Sequence, residues 1–143
     1  MSNYECLKLE NQLCFPIYVC SKEIIRKYKP YLDKLDLTYT QYLAMMVMWD
    51  LKKTNVKELG LRLYLDSGTL TPVLKKLEVK GYITRSRSFW DERNLIVQLT
   101  EAGQALEEKA KDIPTEMCKC LGIKQEEMES LYNLMYKILK NLS

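Results

Sequence analysis

The residues of this sequence best suited to redox or nucleophilic chemistry are its five cysteines, and the chain contains no histidine. Without histidine, Ser-His-Asp triads, Cys-His dyads and imidazole acid–base catalysis are excluded, and so are most zinc sites. The odd number and irregular spacing of the cysteines predict free thiols rather than structural disulfides. A zinc site built from them lacks the usual Cys-x-x-Cys ligand pair, so we expect no metal and no cofactor. The five are Cys6, Cys14, Cys20, Cys118 and Cys120.

Cys14 is the cysteine whose neighbours favour a reactive thiolate. It lies near the predicted start of a helix, where the helix dipole and unpaired N–H groups favour a negative charge. Tyr18 follows one turn later on the same face, so its phenol can donate a hydrogen bond to a thiolate or to an oxidised product. A cysteine in this setting is also compatible with a small buried hydrophobic residue. These local features alone leave both interpretations open.

A second kind of chemistry, the binding of a polyanion, is indicated by the middle of the chain. The net charge is only +3, but residues 38–100 carry ten Lys/Arg against six Asp/Glu, a net +4. Residues 1–37 carry +1 and residues 101–143 carry −2. Such a concentration of positive charge suits nucleic acid, although it is also compatible with a solvated surface. Within the middle segment, five cations are opposed only by Glu78: Lys75, Lys76, Lys80, Arg85 and Arg87.

The helix that must position Cys14 is predicted from an apolar repeat at three- and four-residue steps between Leu13 and Tyr28. Pro30 predicts its end, because proline disfavours a helical conformation in the residue before it. Pro16 requires either a helix that begins just before it, with Asn11 as its cap, or a kink at this point.

Residues 38–100 have the order helix, helix, turn, helix, hairpin, which predicts a winged helix-turn-helix. Thr38 and Gln41 have the spacing of a capping box, and Gly81 is suited to the position after a helix. A polar seven-residue tip separates two β-prone runs. The predicted bounds are helices at 38–52, 56–63 and 66–81 and strands at 82–87 and 95–99.

The third of these helices has the composition of a DNA-recognition helix. One side carries Leu70, Leu74 and Leu77 and is predicted to pack inward, while the opposite side is small or polar and then basic. Its start is placed to read base edges or receive a phosphate, and Arg93 at the hairpin tip is placed to enter a minor groove. The predicted DNA contacts are Asp66, Ser67, Gly68, Thr69, Thr71, Pro72, Lys75, Lys76, Arg85, Arg87, Asp91 and Arg93.

The two ends of the chain are predicted to form a dimerisation region. Thr100 caps a helix to Ala110, Pro114 interrupts it, and a final helix repeats apolar residues from Met128 to Leu142. This stripe suits a coiled-coil-like seam with a second copy, although it also suits a helix that covers its own core. The predicted fold is therefore mainly α with a small β-hairpin, a single domain over 1–143. Within it, 1–37 and 101–143 are dimerisation helices and 38–100 is a winged-helix head.

The expected location is the cytoplasm. No charged-then-apolar leader opens the chain. The longest uninterrupted apolar run, from Tyr42 to Trp49, is far shorter than the roughly 20 residues of a membrane span. We therefore expect no membrane partner.

The run over 65–78, then Gly81 and the Asp-Glu-Arg at 91–93, resembles the MarR-type transcriptional regulators. The resemblance is dense from Lys8 to Leu99 and weakens beyond Thr100. Residues 11–15, Asn-Gln-Leu-Cys-Phe, resemble the organic-hydroperoxide-sensing (OhrR-like) branch of that family. Tyrosines at matching positions extend this similarity: Tyr18, Tyr28 and Tyr39.

The resemblance implies a homodimeric repressor, not an enzyme, that binds palindromic operator DNA and releases it when an organic hydroperoxide oxidises Cys14 to sulfenic acid. It implies that Tyr28 and Tyr39 approach this thiol across the dimer. Cys118 and Cys120 are either resolving cysteines or ordinary helix residues. Two alternatives stay open: a MarR-type regulator triggered by a small aromatic ligand, and a thiol peroxidase that uses Cys14 with Cys118 or Cys120.

Overall fold

The computed structural model describes residues 3–87 and 95–143. Over these residues the chain forms seven α-helices, three short strands and, before the first helix, two 3₁₀ turns at Glu5–Leu7 and Leu9–Asn11. The helices are α1 (Cys14–Asp33), α2 (Tyr39–Leu51), α3 (Val56–Leu63), α4 (Ser67–Val79), α5 (Glu101–Ala110), α6 (Ile113–Leu121) and α7 (Gln125–Leu142). The strands are β1 (Lys53–Asn55), β2 (Ile83–Arg87) and β3 (Leu95–Leu99).

The chain divides into two compact units, Met1–Ile113 and Pro114–Ser143. The first unit contains α1 to α5 and the sheet, and the second contains α7 and nearly all of α6. None of the helices in the described ranges is long and apolar enough to cross a membrane.

The predicted winged helix-turn-helix is confirmed. Leu70, Leu74 and Leu77 on α4 are at most 1% exposed and pack into the core of the head, which also contains Met45 and Leu59. Strand β3 lies at the centre of an antiparallel sheet of order β1-β3-β2. Burying several large aliphatic side chains in this way contributes roughly 1.5–3 kcal/mol for each. Helix α4 is thus anchored to the core of the head by its own leucines.

Strand β1 was not expected. Its three residues, Lys-Thr-Asn, have no alternating apolar pattern, and they become a strand only because Thr54 pairs with Val97 on β3. That pairing depends on a partner more than forty residues away in sequence, which no local pattern encodes.

The predicted helix ends of the head are largely confirmed. Thr38 and Gln41 form both hydrogen bonds of a capping box at the start of α2. Thr100 Oγ1 accepts the Gly103 N–H at 3.0 Å and caps α5. Gly81, after α4, has a φ of +83°, a left-handed conformation that glycine adopts without strain.

Helix α1 corrects two expectations. It begins at Cys14, which places Pro16 in the first turn where its missing N–H has no intrahelical role, and Asn11 does not cap it. The helix also continues through Pro30 to Asp33 instead of ending before the proline. Leu32 lies just beyond that proline and is only 2% exposed, so its burial favours the extra turn over the local cost of Pro30.

Candidate DNA interface and thiol site

The start of α4 presents a small, polar surface. Gly68, Thr69 and Pro72 are exposed, and Lys75 and Lys76 are exposed one turn further along the helix. A Cβ added at Gly68 would meet nothing closer than the Asp66 carboxylate at 3.5 Å, so the packing of the head does not require glycine there. The absence of a side chain at Gly68 instead leaves room for a ligand to approach the backbone closely.

Asp66 acts on the helix itself. Its Oδ1 accepts the Thr69 N–H at 2.7 Å, and this hydrogen bond holds the pKa of Asp66 below its ordinary value. One of the unpaired N–H groups at the start of α4 is therefore already occupied by a carboxylate. Thr71 likewise bonds within the helix, since its hydroxyl donates to the Ser67 carbonyl at 2.7 Å. Ser67 itself is exposed at the first position of α4.

Arg85 on strand β2 forms hydrogen bonds with Glu78 on helix α4. Its guanidinium donates to Glu78 Oε1 from Nε at 3.3 Å and from Nη2 at 3.1 Å, and its backbone N–H donates to Glu78 Oε2 at 3.0 Å. The side chain of Arg85 is only 17% exposed, and the hydrogen bonds from its guanidinium lower the pKa of Glu78. Arg85 thus links strand β2 to helix α4. Arg87 is exposed at the end of β2, whereas Asp91 and Arg93 lie outside the described residues.

Cys14 is the first residue of α1 and is exposed, so it is not a buried core residue. No described side chain caps this helix start, because Leu13 occupies the cap position without a hydrogen-bonding group. The N–H groups there are not occupied by a cap such as the one that Asp66 provides for α4.

Tyr18 lies one turn after Cys14 and is 59% exposed. The Lys22 ammonium lies 5.0 Å from the centre of the Tyr18 ring, a cation–π contact that holds the phenol on the face of α1 shared with Cys14. Sequence reasoning missed Lys22, although its spacing of four residues from Tyr18 was a signal that could have found it.

Tyr28 and Tyr39 are brought together, but away from Cys14 of the same chain. Their ring centres lie 4.9 Å apart, and both pack against Tyr42, which sequence reasoning also missed. Burial raises the pKa of the Tyr39 and Tyr42 phenols. Tyr28 follows Cys14 by fourteen residues along one helix, which is about 21 Å along its axis. Within one chain the tyrosine cluster is therefore separated from the thiol along α1, and its predicted approach to Cys14 across a dimer stays a prediction.

The other cysteines differ in their surroundings. All five are exposed and none is in a disulfide. Cys118 borders an open groove of about 370 Å³ in the second unit, and Cys120 does not. No cluster of three or more metal-ligating side chains is present in residues 3–87 and 95–143. The groove is lined by Cys118, Gln125, Met128, Glu129, Tyr132 and Asn133.

Known proteins with similar sequences are transcription regulators. The family model for the transcriptional regulators SarA/Rot matches residues 26–110. The organic hydroperoxide resistance transcriptional regulator of Bacillus subtilis is 47% identical over 141 residues, 99% of this chain and 96% of that protein. The regulator SarZ of Staphylococcus aureus strain USA300 is 48% identical over 125 residues, which is 87% of this chain and 84% of SarZ.

Solved structures show the same fold. Reduced AbfR bound to DNA, a protein of Staphylococcus epidermidis, has a TM-score of 0.80 and 34% identity over 98% of this chain and 97% of its own. A mutant of Escherichia coli MarR in complex with operator DNA has a TM-score of 0.78 and 28% identity over 89% of this chain and 93% of its own. These matches confirm the predicted regulator, rather than enzyme, and its likeness to the organic-hydroperoxide branch. The chain belongs to the MarR-type transcriptional regulators, within the group that includes SarA and Rot.

Proposed function

We propose that this protein is a homodimeric repressor that binds palindromic operator DNA while Cys14 is reduced and releases it when an organic hydroperoxide oxidises Cys14. One observation carries the proposal: Cys14 is exposed at an uncapped helix start, in a chain 47% identical to an organic hydroperoxide resistance regulator. This role belongs in the cytoplasm, beside the DNA and in a compartment that keeps thiols reduced.

The exposed face of α4 supports DNA binding. Gly68, Thr69 and Pro72 form the part that reads base edges, and Lys75 and Lys76, one turn further along the helix, neutralise phosphates. Arg93, which lies outside the described residues, is predicted from the sequence to enter the minor groove. Arg85 contributes indirectly, because its ion pair with Glu78 holds strand β2 against helix α4. Two relatives of this fold, AbfR and MarR, have been solved with DNA.

Exposed apolar side chains at both ends of the chain support the dimer. Leu7, Leu9 and Leu13 are 56–73% exposed before and at the start of α1. On α7, a stripe of large apolar residues is likewise exposed: Leu131, Met135, Ile138 and Leu142. Apolar surface of this extent is typical of a protein interface, and a two-fold dimer matches the symmetry of a palindrome. We therefore assign 1–37 and 101–143 to dimerisation and 38–100 to DNA reading.

The redox step is a two-electron oxidation of sulfur. The Cys14 thiolate attacks one peroxide oxygen, an S–O bond forms as the O–O bond breaks, and the alkoxide leaves and takes up a proton to become an alcohol. We expect the Tyr18 hydroxyl, one turn after Cys14 on the same helix, to donate a hydrogen bond to the new oxygen. In the dimer, Tyr28 of the partner subunit and Tyr39 of the partner subunit approach this thiol and move when it is oxidised.

DNA release follows from the geometry of two linked heads. Each head engages one half-site, and the half-sites lie about 10 base pairs apart. A shift of the helices that join the heads breaks this spacing, and losing one half-site removes the gain from simultaneous binding.

The test compares wild type with Cys14→Ser and with the matched control Cys20→Ser, which removes another exposed thiol from the same helix. The DNA is a palindromic duplex selected from a random library by the reduced wild-type protein. Binding is measured before and after one equivalent of cumene hydroperoxide. We expect wild type and Cys20→Ser to release the duplex, and Cys14→Ser to retain it.

The same experiment separates the alternatives. If Cys14→Ser releases DNA as readily as wild type, the cysteine-sensor proposal is wrong. Release of DNA by a small aromatic compound, with no effect of peroxide, would support the ligand-triggered regulator. Repeated turnover of peroxide in the presence of a reductant would support the thiol peroxidase.

Cys118 and Cys120 are the two candidates for a cysteine that reacts with oxidised Cys14. A second thiolate that attacks the sulfenic sulfur forms a disulfide and releases water. AbfR has been solved in a disulfide form, and Cys118 and Cys120 are both exposed, so each is a candidate for the resolving residue. Mass spectrometry of peroxide-treated Cys118→Ser and Cys120→Ser identifies it, because only the variant that lacks the resolving cysteine should fail to form a disulfide with Cys14.

A further inference from the structure

The segment that leads into Cys14 is held by two side-chain amides. Asn11 Nδ2 donates to the Glu5 carbonyl at 2.7 Å. Gln12 Nε2 donates to two carbonyls, those of Cys6 at 2.7 Å and Lys8 at 2.9 Å. These three bonds tie the first 3₁₀ turn back to the residues that immediately precede α1.

Burial and local helical structure contribute little to the shape of this segment. Single 3₁₀ turns have poor hydrogen-bond geometry and are weak on their own. The apolar residues Tyr4, Leu7 and Leu9 are 56–73% exposed. Gln12 is the one residue between Asn3 and Pro16 that is partly buried. The shape of residues 4–12 therefore depends on polar contacts, among which those of Asn11 and Gln12 span the whole segment.

These contacts end at Gln12, two residues before the thiol. Only Leu13 separates Gln12 from Cys14, and Leu13 makes no capping bond to the helix. The first turn of α1 consequently lacks the anchor that Thr38 gives α2 and Asp66 gives α4. A fold-back that fixes the chain up to Gln12 takes the place of that anchor while leaving the N–H groups next to Cys14 unoccupied.

We infer that Asn11 and Gln12 are positioning residues that hold the first turn of α1 helical around Cys14. This inference rests on the proposed function of Cys14. An intact first turn keeps the partial positive charge of the aligned N–H groups beside the sulfur, the atom that attacks an oxidant or an alkylating agent. Without the two amides residues 5–12 lose their fold-back, the first turn of α1 frays, and the sulfur loses those neighbouring N–H groups.

The test measures the rate of alkylation by iodoacetamide at Cys14 and Cys20 in the full-length reduced protein, read by mass spectrometry. The variants are Gln12→Met, which keeps the size of the side chain without its donor, and Asn11→Ala combined with Gln12→Met. The matched control is Lys8→Ala, which removes the exposed Lys8–Glu5 ion pair of 2.8 Å in the same segment but keeps the carbonyl that Gln12 uses. Cys20 is an internal control, an exposed thiol further along α1.

We expect the double variant to lower the alkylation rate at Cys14 by about tenfold, the scale that the loss of a few amide hydrogen bonds allows. Alkylation at Cys20, the melting temperature and DNA binding by the reduced protein should stay unchanged, and Lys8→Ala should behave as wild type. Unchanged alkylation at Cys14 would overturn the inference. Equal losses at Cys14 and Cys20 with a lower melting temperature would also overturn it, since they would indicate a general structural role.

This readout is independent of the peroxide response. If wild type fails to release DNA after cumene hydroperoxide, the proposed function is wrong. The ratio of the alkylation rates at Cys14 and Cys20 still decides whether the amides position Cys14. If wild type releases DNA and the variants alkylate normally, only the positioning role is wrong.

Discussion

Two helix starts in this molecule are built in opposite ways. Helix α4 begins with a carboxylate cap from Asp66, and Leu70 is fully buried beneath its first turn. Helix α1 begins at Cys14 with no described side-chain cap, and Leu13 and Tyr18 are 73% and 59% exposed. Helix α4 is therefore supported within one chain, whereas the start of α1 leaves apolar side chains exposed. In the proposed mechanism, oxidation of Cys14 would consequently act on the dimer contacts and not on the core of the head.

The largest expected difference between the two regions comes from shortening one leucine side chain in each. Leu74→Ala should lower the free energy of unfolding by about 3 kcal/mol at every protein concentration, because Leu74 is only 1% exposed and its truncation leaves a cavity in the core. Leu13→Ala should lower apparent stability only through the dimer, so its effect should depend on protein concentration. Urea unfolding at several concentrations, with sedimentation to follow the dimer, measures both.

Leu61→Ala is the control for this pair, since Leu61 is 65% exposed on the head and outside the proposed dimer segments. We expect it to change the free energy of unfolding by less than about 0.5 kcal/mol. A loss of stability with Leu13→Ala that is independent of concentration and equal to that of Leu74→Ala would show that the start of α1 belongs to the core.

The next largest effect tests the reading surface. Arg93→Ala should weaken operator binding by roughly 1–3 kcal/mol at fixed salt if this side chain enters the minor groove. Lys75→Ala should weaken binding similarly for all sequences and reduce the slope of affinity against salt by about one. The control is Lys57→Ala, an exposed residue of α3 outside the predicted DNA contacts and the proposed dimer segments, which should leave both quantities unchanged. Unaltered binding by Arg93→Ala would show that the Arg93 side chain does not contribute to DNA binding.

The sequence predicted the structure of the head better than that of α1 and the segment before it, and the reason is physical. The capping pair Thr38 and Gln41 and the glycine at 81 act on neighbouring residues, so their patterns are visible locally. The extra turn beyond Pro30 depends on where Leu32 becomes buried, which is a tertiary property. Asn11 is of a residue type that often caps helices, but its side-chain amide instead donates to the carbonyl of Glu5. Local patterns identified Cys14 as a candidate, but not the contacts that surround it.

A smaller effect separates a capped helix from an uncapped one. Thr38→Ala removes the side chain that accepts the Gln41 N–H at 3.2 Å, so it should lower the free energy of unfolding by about 1 kcal/mol. Leu13→Ala removes no capping bond from α1. At concentrations where the protein is monomeric, it should therefore lower the free energy of unfolding by less than Thr38→Ala does. Equal costs in urea unfolding would mean that the hydrogen bond at Thr38 adds nothing to the start of α2.

The smallest effect is a pH dependence confined to the head. The pKa of Asp66 is lowered in the folded state by the Thr69 N–H, so the unfolded chain takes up a proton there more readily as the pH falls. The stabilisation is complete above the ordinary pKa of 3.8 and is lost as the pH falls through the lower folded value. Asp66→Asn keeps a capping side chain without the titration. Melting temperatures from pH 7 to pH 3 should therefore be higher for wild type than for Asp66→Asn near neutral pH, and the difference should narrow as the pH falls below 3.8. A difference that persists unchanged at pH 3 would mean that the shape of the cap, and not its charge, holds the start of the recognition helix.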